Sequence, residues 1–312
     1  MPAASLIWRL AFAMLAVVSA ATLLGTRWEA LDLLSPFQGY LALAWLLALG
    51  VFCGFRKVRN AFLHPLRAAA CAGILLLLHV SLLAQLFQPS NSVASVPEPA
   101  ESLLVVWFNM EHKASALQAL ESQFEKNYPD LLALAETNRD TAPNPLWGLQ
   151  HVLHDETARI GIWSRWPLED LRAHPVAGDR DLLDATVVVN GHRLPVVAVH
   201  WRLPTQPSQK VAASALANLT RSRPDALVLG DFNATPWSAS LRLLESEGQL
   251  GRVRLPLGAI NTWAADPWHL LGVPIDHVLV KGAVRAEDLH LLPWNTSDHR
   301  PLQVRILFNL PG

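Results

Sequence analysis

The pattern of hydrophobic and polar positions changes near residue 88. Three apolar runs without a charged residue precede that point, at residues 10–26, 33–55 and 68–87. Each run is about 17 to 23 residues long, and a helix of that length crosses a hydrocarbon core of roughly 30 Å. Because no amphipathic segment separates the runs, they do not resemble the buried helices of a soluble core. The pattern predicts a membrane domain of three transmembrane helices in residues 1–87.

The basic residues of the loops predict the orientation of these helices. Only Arg27, beside two acidic residues, lies between the first and second runs, whereas four basic residues lie between the second and third, Arg56, Lys57, Arg59 and Arg67. Because positively charged loops stay in the cytoplasm, we expect the chain from Gln88 onward to face the periplasm or the cell exterior. A signal peptide cleaved near Ala20 would account for the first run only, since two more runs follow.

The polar half of the chain begins with a linker and continues as one domain. Residues 88–101, QPSNSVASVPEPAE, are rich in Pro and Ser and have no hydrophobic period, which predicts a tether. Residues 102–312 alternate apolar runs with segments of helical spacing, and this alternation predicts a layered α/β domain. The predicted strands are 102–108, 130–135, 158–163, 185–189, 195–200, 226–229, 275–280 and 301–307, and the predicted helices are 114–126 and 207–221.

Composition and charge narrow the possible classes. Hydrophobic residues make up 51% of the chain and charged residues 16%, so the chain is not intrinsically disordered. Residues 101–312 carry 19 basic and 23 acidic residues, a net charge of −4. That balance excludes a strongly basic nucleic-acid coat and disfavours a long footprint on a phosphate backbone.

Polar side chains stand where several predicted strands begin or end. Taken singly, each has an ordinary explanation, such as a turn residue for Asp231 or a structural histidine for His200. Carboxylates at strand ends are costly unless they are paired or bound to a metal, and side chains at several strand ends can converge on one pocket. The candidate site residues are Asn109, Glu136, His200, Asp231, Asn233, Asp276, Asp298 and His299.

The residue types in this set favour a hard cation and a phosphate. The set contains carboxylate and amide oxygens and histidines but no cysteine, and the chain has no HExxH motif, so Mg²⁺ or Mn²⁺ is favoured over zinc. The chain also lacks a GxxxxGK[ST] motif and a strand–GxGxxG–helix unit. Binding of nucleoside triphosphates or dinucleotides is therefore unsupported.

Seven segments resemble the ordered motifs of a known superfamily. The segments are FNM at 108–110, DLLALAE at 130–136, GIWSRWPL at 161–168, AVHW at 198–201, LVLGDFNATPWS at 227–238, IDHVLV at 275–280 and SDHRPL at 297–302. They resemble the endonuclease/exonuclease/phosphatase superfamily, which includes DNase I-like nucleases, inositol-phosphate 5-phosphatases and neutral sphingomyelinases. The resemblance covers residues 102–308 and leaves the membrane segments outside it.

The resemblance implies a fold and a metal site. The fold is a DNase I-like four-layer α/β sandwich, two mixed sheets face to face with helices outside, here preceded by three transmembrane helices. Glu136 would bind the divalent metal, Mg²⁺ or Mn²⁺, and Asn109 and Asp298 would lie close to it.

The same resemblance implies roles for the five remaining residues. Asp231 would orient or deprotonate the attacking water, and Asn233 would hold that water or the phosphate. His299, polarised by Asp276, would bind the scissile phosphate, and His200 would contact that phosphate from the other side. The expected activity is metal-dependent hydrolysis of a phosphodiester without a covalent intermediate.

The substrate stays open, and no protein partner is evident. Nucleic acids and the headgroups of phospholipids or sphingolipids all carry a phosphodiester. Nine of the 12 tryptophans follow residue 101, where they either pack in the core or form a rim that stacks bases or touches lipid, and the apolar segment 263–273 is the strongest candidate for a rim. A catalytically silent binding domain is the third alternative, but it would not need the complete set of acids and histidines.

The loop charges generate a prediction about topology. We expect an alkaline phosphatase reporter fused after Gly312 to be active, because that reporter folds only after export and the basic loop at residues 56–67 places the C-terminus outside the cytoplasm. Reporter activity in whole cells measures this. A reporter that works only in the cytoplasm would reverse the orientation.

Overall fold

A computed structural model describes residues 3–87, 100–124, 127–138, 146–176, 179–204, 208–255, 261–265 and 268–309. The chain forms two compact units, Met1–Phe87 with Trp237–Ala239 and Gln88–Pro236 with Ser240–Gly312. Most of the predicted linker, residues 88–99, lies outside the described residues.

The first unit consists of apolar helices. Three stretches are long and apolar enough to cross a membrane, Ser5–Gly25, Ala30–Gly54 and Pro65–Leu86, and they coincide with the three predicted runs. Short 3₁₀ helices occupy Glu29–Phe37 and Ala84–Phe87. The α-helices are α1 (Ala3–Gly25), α2 (Gln38–Gly54), α3 (Arg56–Arg59) and α4 (Pro65–Leu83).

Polar side chains of these helices point inward. Trp45 Nε1 donates a hydrogen bond to Ser19 Oγ at 2.7 Å, and Gln38 Nε2 donates to the carbonyl oxygen of Thr22 at 3.0 Å. His79 Nδ1 contacts Gln38 Oε1, and both side chains are fully buried. A bilayer favours this arrangement, because lipid tails cannot satisfy polar groups and neighbouring helices can.

The second unit is built on two six-stranded mixed sheets. The first has the order β13-β14-β1-β2-β4-β3 and the second the order β5-β6-β7-β8-β12-β9, while β10 and β11 form a separate hairpin. The strands are β1 (Ala100–Asn109), β2 (Leu131–Ala135), β3 (His151–Asp155), β4 (Ile160–Ser164), β5 (Leu168–Val176), β6 (Asp179–Val189), β7 (His192–His200), β8 (Ala226–Asp231), β9 (Gly251–Arg252), β10 (Trp263–Ala264), β11 (Gly272–Val273), β12 (Asp276–Lys281), β13 (Val284–Leu291) and β14 (Leu302–Asn309).

Helices cover one face of each sheet. The helices of this unit are α5 (Ala114–Gln123), α6 (Ser208–Arg221) and α7 (Ala239–Gly248). Leu117 and Leu120 of α5 pack on Val106 and Phe108 of the first sheet. The apolar sides of α6 and α7 pack in the same way on β7, β8 and β12. The opposite faces of the two sheets meet, which confirms the predicted four-layer α/β sandwich.

The pairing of the central strands brings their carboxyl ends to one edge. β1 and β2 are parallel, with Asn109 opposite Ala135, and β7 and β8 are parallel, with His200 opposite Asp231. β12 is antiparallel to β8 and begins with Asp276 opposite Asp231. Parallel strands end at the same edge of a sheet, so the polar residues that terminate them become neighbours.

Gly230 allows β7 and β8 to approach closely just before Asp231. A Cβ atom at this position would lie 2.2 Å from the carbonyl oxygen of Val199, which no side chain tolerates without a backbone shift. Steric contact with β7 therefore explains why the GDFN segment has a glycine at this position. Gly230 directly precedes Asp231, which pairs with His200.

The hydrophobic pattern missed the helix α7, the two-residue strands β9, β10 and β11, and three longer strands at the edges of the two large sheets. β3, β5 and β13 were not predicted, and each is the outermost strand of its sheet. Their sequences, HVLHD, LEDLRAHPV and VRAEDLHL, carry charged and polar residues. Edge strands are commonly charged because charge blocks pairing with other chains, so a search for apolar runs passes over them.

Candidate active site

The eight predicted site residues form one connected cluster at the strand ends. Each of them lies within 4.0 Å of at least one other member, through a hydrogen bond or an ion-pair contact. The first sheet contributes Asn109 and the segments after β2 and before β14, and the second contributes the ends of β7 and β8 and the start of β12. The expected convergence is therefore present, while the role of each residue stays a prediction.

Asp231 lies at the centre of the cluster. Its Oδ2 is 3.2 Å from Asn109 Nδ2, 3.6 Å from His299 Nε2 and 3.8 Å from His200 Nε2. Its Oδ1 accepts a hydrogen bond from the backbone N–H of Asn233 at 2.9 Å. Three side chains that can donate protons or carry positive charge thus surround one buried carboxylate, which compensates part of the cost of burying it.

Asp276 and His299 form the hydrogen bond that the sequence interpretation requires. His299 Nδ1 lies 2.9 Å from Asp276 Oδ2, and the Asp276 side chain is 0% exposed. The other oxygen, Asp276 Oδ1, accepts a bond from Trp107 Nε1 at 2.8 Å, and the Asp276 backbone N–H donates to Thr262 Oγ1 at 2.9 Å. With both oxygens occupied, Asp276 has one orientation, and it turns His299 Nε2 toward Asp231.

Burial and the neighbouring charges shift the pKa values of His299 and Asp231. Burial alone lowers the pKa of His299, but the carboxylates of Asp276 and Asp231 outweigh it and raise that pKa to about 10. Burial raises the pKa of Asp231, and the nearby His299 opposes this effect. His299 is therefore a cation at neutral pH.

His277 points to the other side of β12. Its Nε2 contacts the carbonyl oxygen of Ala234 at 2.8 Å, and its ring packs against Phe232. Burial, assisted by the charge of Arg252, lowers the pKa of His277 to about 3, so the ring is neutral. Neighbouring residues of a strand face opposite ways, and the structure places Asp276 in the cluster and His277 outside it.

Glu136 and Asp298 form the more accessible side of the cluster. Glu136 Oε1 is 3.3 Å from Asn109 Nδ2 and 3.6 Å from His200 Nε2. Asp298 Oδ2 accepts a hydrogen bond from Trp263 Nε1 at 2.8 Å, and Asp298 Oδ1 lies 4.0 Å from His299 Nε2. Burial raises the pKa of Asp298, and the nearby charge of His299 lowers it by a smaller amount.

Left-handed backbone conformations shape this side of the site. Glu136 has φ 52° and Asn233 φ 46°, and Glu111, His112 and Arg159 have φ values of 49°, 55° and 54°. Asparagine and histidine adopt this region more readily than most residues, whereas Glu136, Glu111 and Arg159 are strained there. Strained residues cluster where a fold must aim side chains at a functional site.

Four contributors to the site were missed by the sequence interpretation. Trp107 and Thr262 hold Asp276, and Glu111 Oε2 accepts a hydrogen bond from the backbone N–H of Asp298 at 3.0 Å. His112 Nε2 lies 3.3 Å from Glu136 Oε2. Glu111 and His112 could have been found, because they directly follow the strand end at Asn109, whereas Trp107 and Thr262 gave no chemical signal.

The donor set fits a divalent cation on the Glu136 side. Burial raises the pKa values of Asp231 and Asp298, and the charge of His299 opposes both shifts, so the ionised form of each carboxylate depends on a nearby cation. Asp231, Asp276 and His299 also lie close enough to share an ion, within 4.8 Å. In that group, however, both oxygens of Asp276 already accept hydrogen bonds. The carboxylates of Glu136 and Asp298 are oxygen ligands of the kind that Mg²⁺ and Mn²⁺ prefer, whereas Asn109 turns its Nδ2 toward Glu136 and its Oδ1 toward the backbone N–H of Glu111.

Comparison with known proteins agrees with this fold. Residues 106–299 match the family described as Endonuclease/Exonuclease/phosphatase family, and the chain belongs to that family. No curated protein sequence matches the chain.

Solved structures share the fold at low sequence identity. The 3'-5' exonuclease NExo from Neisseria meningitidis is 19% identical, with 66% of this chain and 100% of that chain covered and a TM-score of 0.51. An endonuclease/exonuclease/phosphatase from Bacteroides vulgatus is 12% identical, with coverages of 67% and 100% and a TM-score of 0.57. Truncated TDP2 from Caenorhabditis elegans is 14% identical, with coverages of 67% and 98% and a TM-score of 0.52.

The geometry of the dyad generates a prediction. We expect Asp276→Asn and His299→Ala each to lower kcat/KM by about 10² to 10⁴-fold, because each removes the oriented imidazolium. The double variant should be no worse than the worse single variant, since the two residues act as one unit. Hydrolysis of bis(p-nitrophenyl) phosphate measures all three.

His277→Ala is the matched control, because His277 lies on the same strand and faces away from the cluster. This variant should lower the free energy of unfolding but change kcat/KM little. Multiplicative losses in the double variant, or a severe loss of kcat in His277→Ala, would contradict the dyad.

Proposed function

We propose that this protein is a divalent-metal-dependent phosphodiester hydrolase whose catalytic domain is held at a membrane and faces away from the cytoplasm. The proposal rests on one observation. Asp276, His299 and Asp231 form a row of side chains in contact, and further carboxylates lie beside this row at the same end of the two sheets. A buried cationic imidazole next to acidic oxygens is suited to hold a phosphate and an attacking water at the same time.

Each side chain of the row has a chemical task in this proposal. His299 binds a non-bridging oxygen of the phosphate through Nε2, and Asp276 keeps the ring oriented and protonated. Asp231 orients the attacking water or accepts its proton, because its Oδ2 is the nearest carboxylate oxygen to His299 Nε2, at 3.6 Å. Asn233 holds the water or the phosphate, and His200 contacts the phosphate from the side of Glu136.

Glu136 would hold the metal ion, with Asn109 and Asp298 close to it. Mg²⁺ or Mn²⁺ bound there supplies charge neutralisation for the phosphate oxygens. Glu136 is suited to this task because it is partly exposed, while Asp231 and Asp276 are buried.

A nucleic acid is the first substrate class to test. A structure of NExo from Neisseria is described as bound to a product DNA hairpin, and that protein covers 67% of this chain at 19% identity. Such a likeness supports the shared fold and suggests DNA as a probe. The net charge of −4 on residues 101–312 predicts a short contact with any nucleic acid.

A lipid headgroup is the second candidate, and an exposed apolar loop favours it. Trp268, Leu270 and Leu271 are 76%, 76% and 56% exposed between β10 and β11. This hairpin borders the site, because Trp263 of β10 bonds Asp298 and pairs with His299. Exposed apolar side chains beside a catalytic cluster suit a substrate presented at a bilayer surface.

Metal dependence generates the central prediction. We expect the purified full-length chain to hydrolyse a phosphodiester in Mg²⁺ or Mn²⁺ and to lose this activity in EDTA. Glu136→Gln should lower turnover on the order of 10² to 10³-fold, because the amide removes a negatively charged ligand oxygen. The assay uses DNA, RNA, phospholipid vesicles and bis(p-nitrophenyl) phosphate in parallel.

Glu156→Gln is a control, since Glu156 is an exposed carboxylate that contacts His154 instead of the cluster. It should leave turnover unchanged. Activity that survives EDTA would refute the metal assignment, and hydrolysis of none of the four substrates would refute the proposed function.

The apolar loop generates a prediction that separates lipid from soluble substrates. We expect Trp268→Ser with Leu271→Ser to lower the hydrolysis of vesicle phospholipid roughly tenfold or more, since burial of such side chains contributes about 1.5 to 3 kcal/mol each. Hydrolysis of bis(p-nitrophenyl) phosphate should not change. Leu171→Ser, at a 45% exposed leucine of β5, is the control. Equal losses on both substrates would contradict a role in lipid contact.

A further inference from the structure

The two carboxylate oxygens of Glu136 have different neighbours. Oε1 faces Asn109 Nδ2 at 3.3 Å and His200 Nε2 at 3.6 Å, within the cluster already described. Oε2 faces His112 Nε2 at 3.3 Å. His112 is therefore the nearest nitrogen donor to the half of the carboxylate that the other site residues leave open.

The backbone fixes His112 in this position. The backbone N–H of Met110 donates to the carbonyl oxygen of Ala135 at 3.1 Å. The backbone N–H of His112 donates to the carbonyl oxygen of Glu136, also at 3.1 Å. The two segments thus stay hydrogen-bonded past both strand ends, although the register of the parallel ladder is lost there. Left-handed conformations at Glu111, His112 and Glu136 make this continuation possible, and such strain is retained where it positions functional groups.

The surroundings of His112 Nε2 leave room for a cation. Nε2 and Glu136 Oε2 are 3.3 Å apart, and both side chains are partly exposed, at 42% and 26%. Arg159 Nη1 lies 3.3 Å from the same nitrogen, and a guanidinium can only donate. In the tautomer that accepts this bond, Nε2 and Oε2 both present lone pairs, and a cation that displaces the guanidinium can bind to both.

We propose that His112 is a ligand of the divalent metal, binding through Nε2 beside Glu136 Oε2. This assignment rests on the proposed function, which places the metal at Glu136, and adds an imidazole to an otherwise oxygen-based site. Two neighbouring ligands of an octahedral ion at about 2.1 Å lie about 3 Å apart, close to the separation of 3.3 Å between Nε2 and Oε2. Arg159 is exposed, so its side chain has room to withdraw from the ion.

An imidazole ligand changes which metal the site prefers. Mg²⁺ favours oxygen ligands and dehydrates reluctantly, whereas transition metals accept imidazole nitrogen readily. The site should therefore bind Mn²⁺ more tightly than Mg²⁺, and the difference should depend on His112.

Pulsed electron paramagnetic resonance with Mn²⁺ alone tests this assignment on the full-length protein. The wild type should show ¹⁴N modulation from a coordinated imidazole, and His112→Asn should lose it. Asparagine suits the position because it adopts left-handed φ values without strain. By calorimetry the Kd for Mn²⁺ should rise on the order of tenfold in His112→Asn, as when a supporting group of a metal site is lost, and the Kd for Mg²⁺ should rise less.

His200→Gln and His290→Gln are the controls, one for a histidine near Glu136 Oε1 and one for an exposed histidine of β13. Both should keep the ¹⁴N modulation. Modulation that persists in His112→Asn, or is absent from a wild type that binds Mn²⁺ and hydrolyses phosphodiesters, overturns the His112 assignment and leaves the proposed function standing. A wild type that binds neither metal overturns both.

Discussion

A protonated imidazole shared between two buried carboxylates is the interaction on which the site depends. Asp276 and Asp231 come from different strands, and His299 comes from the segment before β14 in the other sheet. If one member were absent, an uncompensated charge would stay in a dry environment, which is among the costliest defects a fold can carry. The imidazolium of His299 is therefore stable only when β8, β12 and the segment before β14 are in place together. This requirement couples assembly of the two sheets to formation of the site.

Trp107 extends this coupling into the core. It lies on β1 of the first sheet, and its Nε1 reaches Asp276 on β12 of the second. Its ring is buried between the sheets, so packing and hydrogen bonding fix the same side chain. A carboxylate held in this way keeps its orientation while phosphate and water exchange, and the preorganisation limits the reorganisation that hydrolysis would require.

The charges and the apolar surface of the site are spatially separated. The buried row carries the fixed charges, the Glu136 side offers metal ligands next to His112, and the hairpin loop presents Trp268 and Leu270 to the surroundings. The proposed metal with an imidazole ligand, together with the exposed apolar loop, would suit short contacts with a phosphodiester. The three apolar helices of the first unit are consistent with such contacts near a bilayer.

The sequence by itself determined the central strands, the three apolar helices and the eight polar residues of the cluster. These signals are local, because an uninterrupted apolar run indicates burial, and a polar residue that directly follows it, such as Asp231, stands out in the sequence without any knowledge of the fold. The edge strands β3, β5 and β13 escaped detection, since polar and charged residues interrupt their apolar pattern.

Only the tertiary structure decided which side chains meet. Trp107 and Asp276 are separated by 169 residues, and their hydrogen bond depends on how one sheet packs on the other. The approach of His112 to Glu136 depends on left-handed turns at the ends of two strands, and residues other than glycine adopt such turns only when the surrounding fold compensates the strain. The residue types along the chain thus indicate which positions are buried and which side chains are reactive. The direction of each side chain depends on the backbone geometry, which is determined by the whole fold.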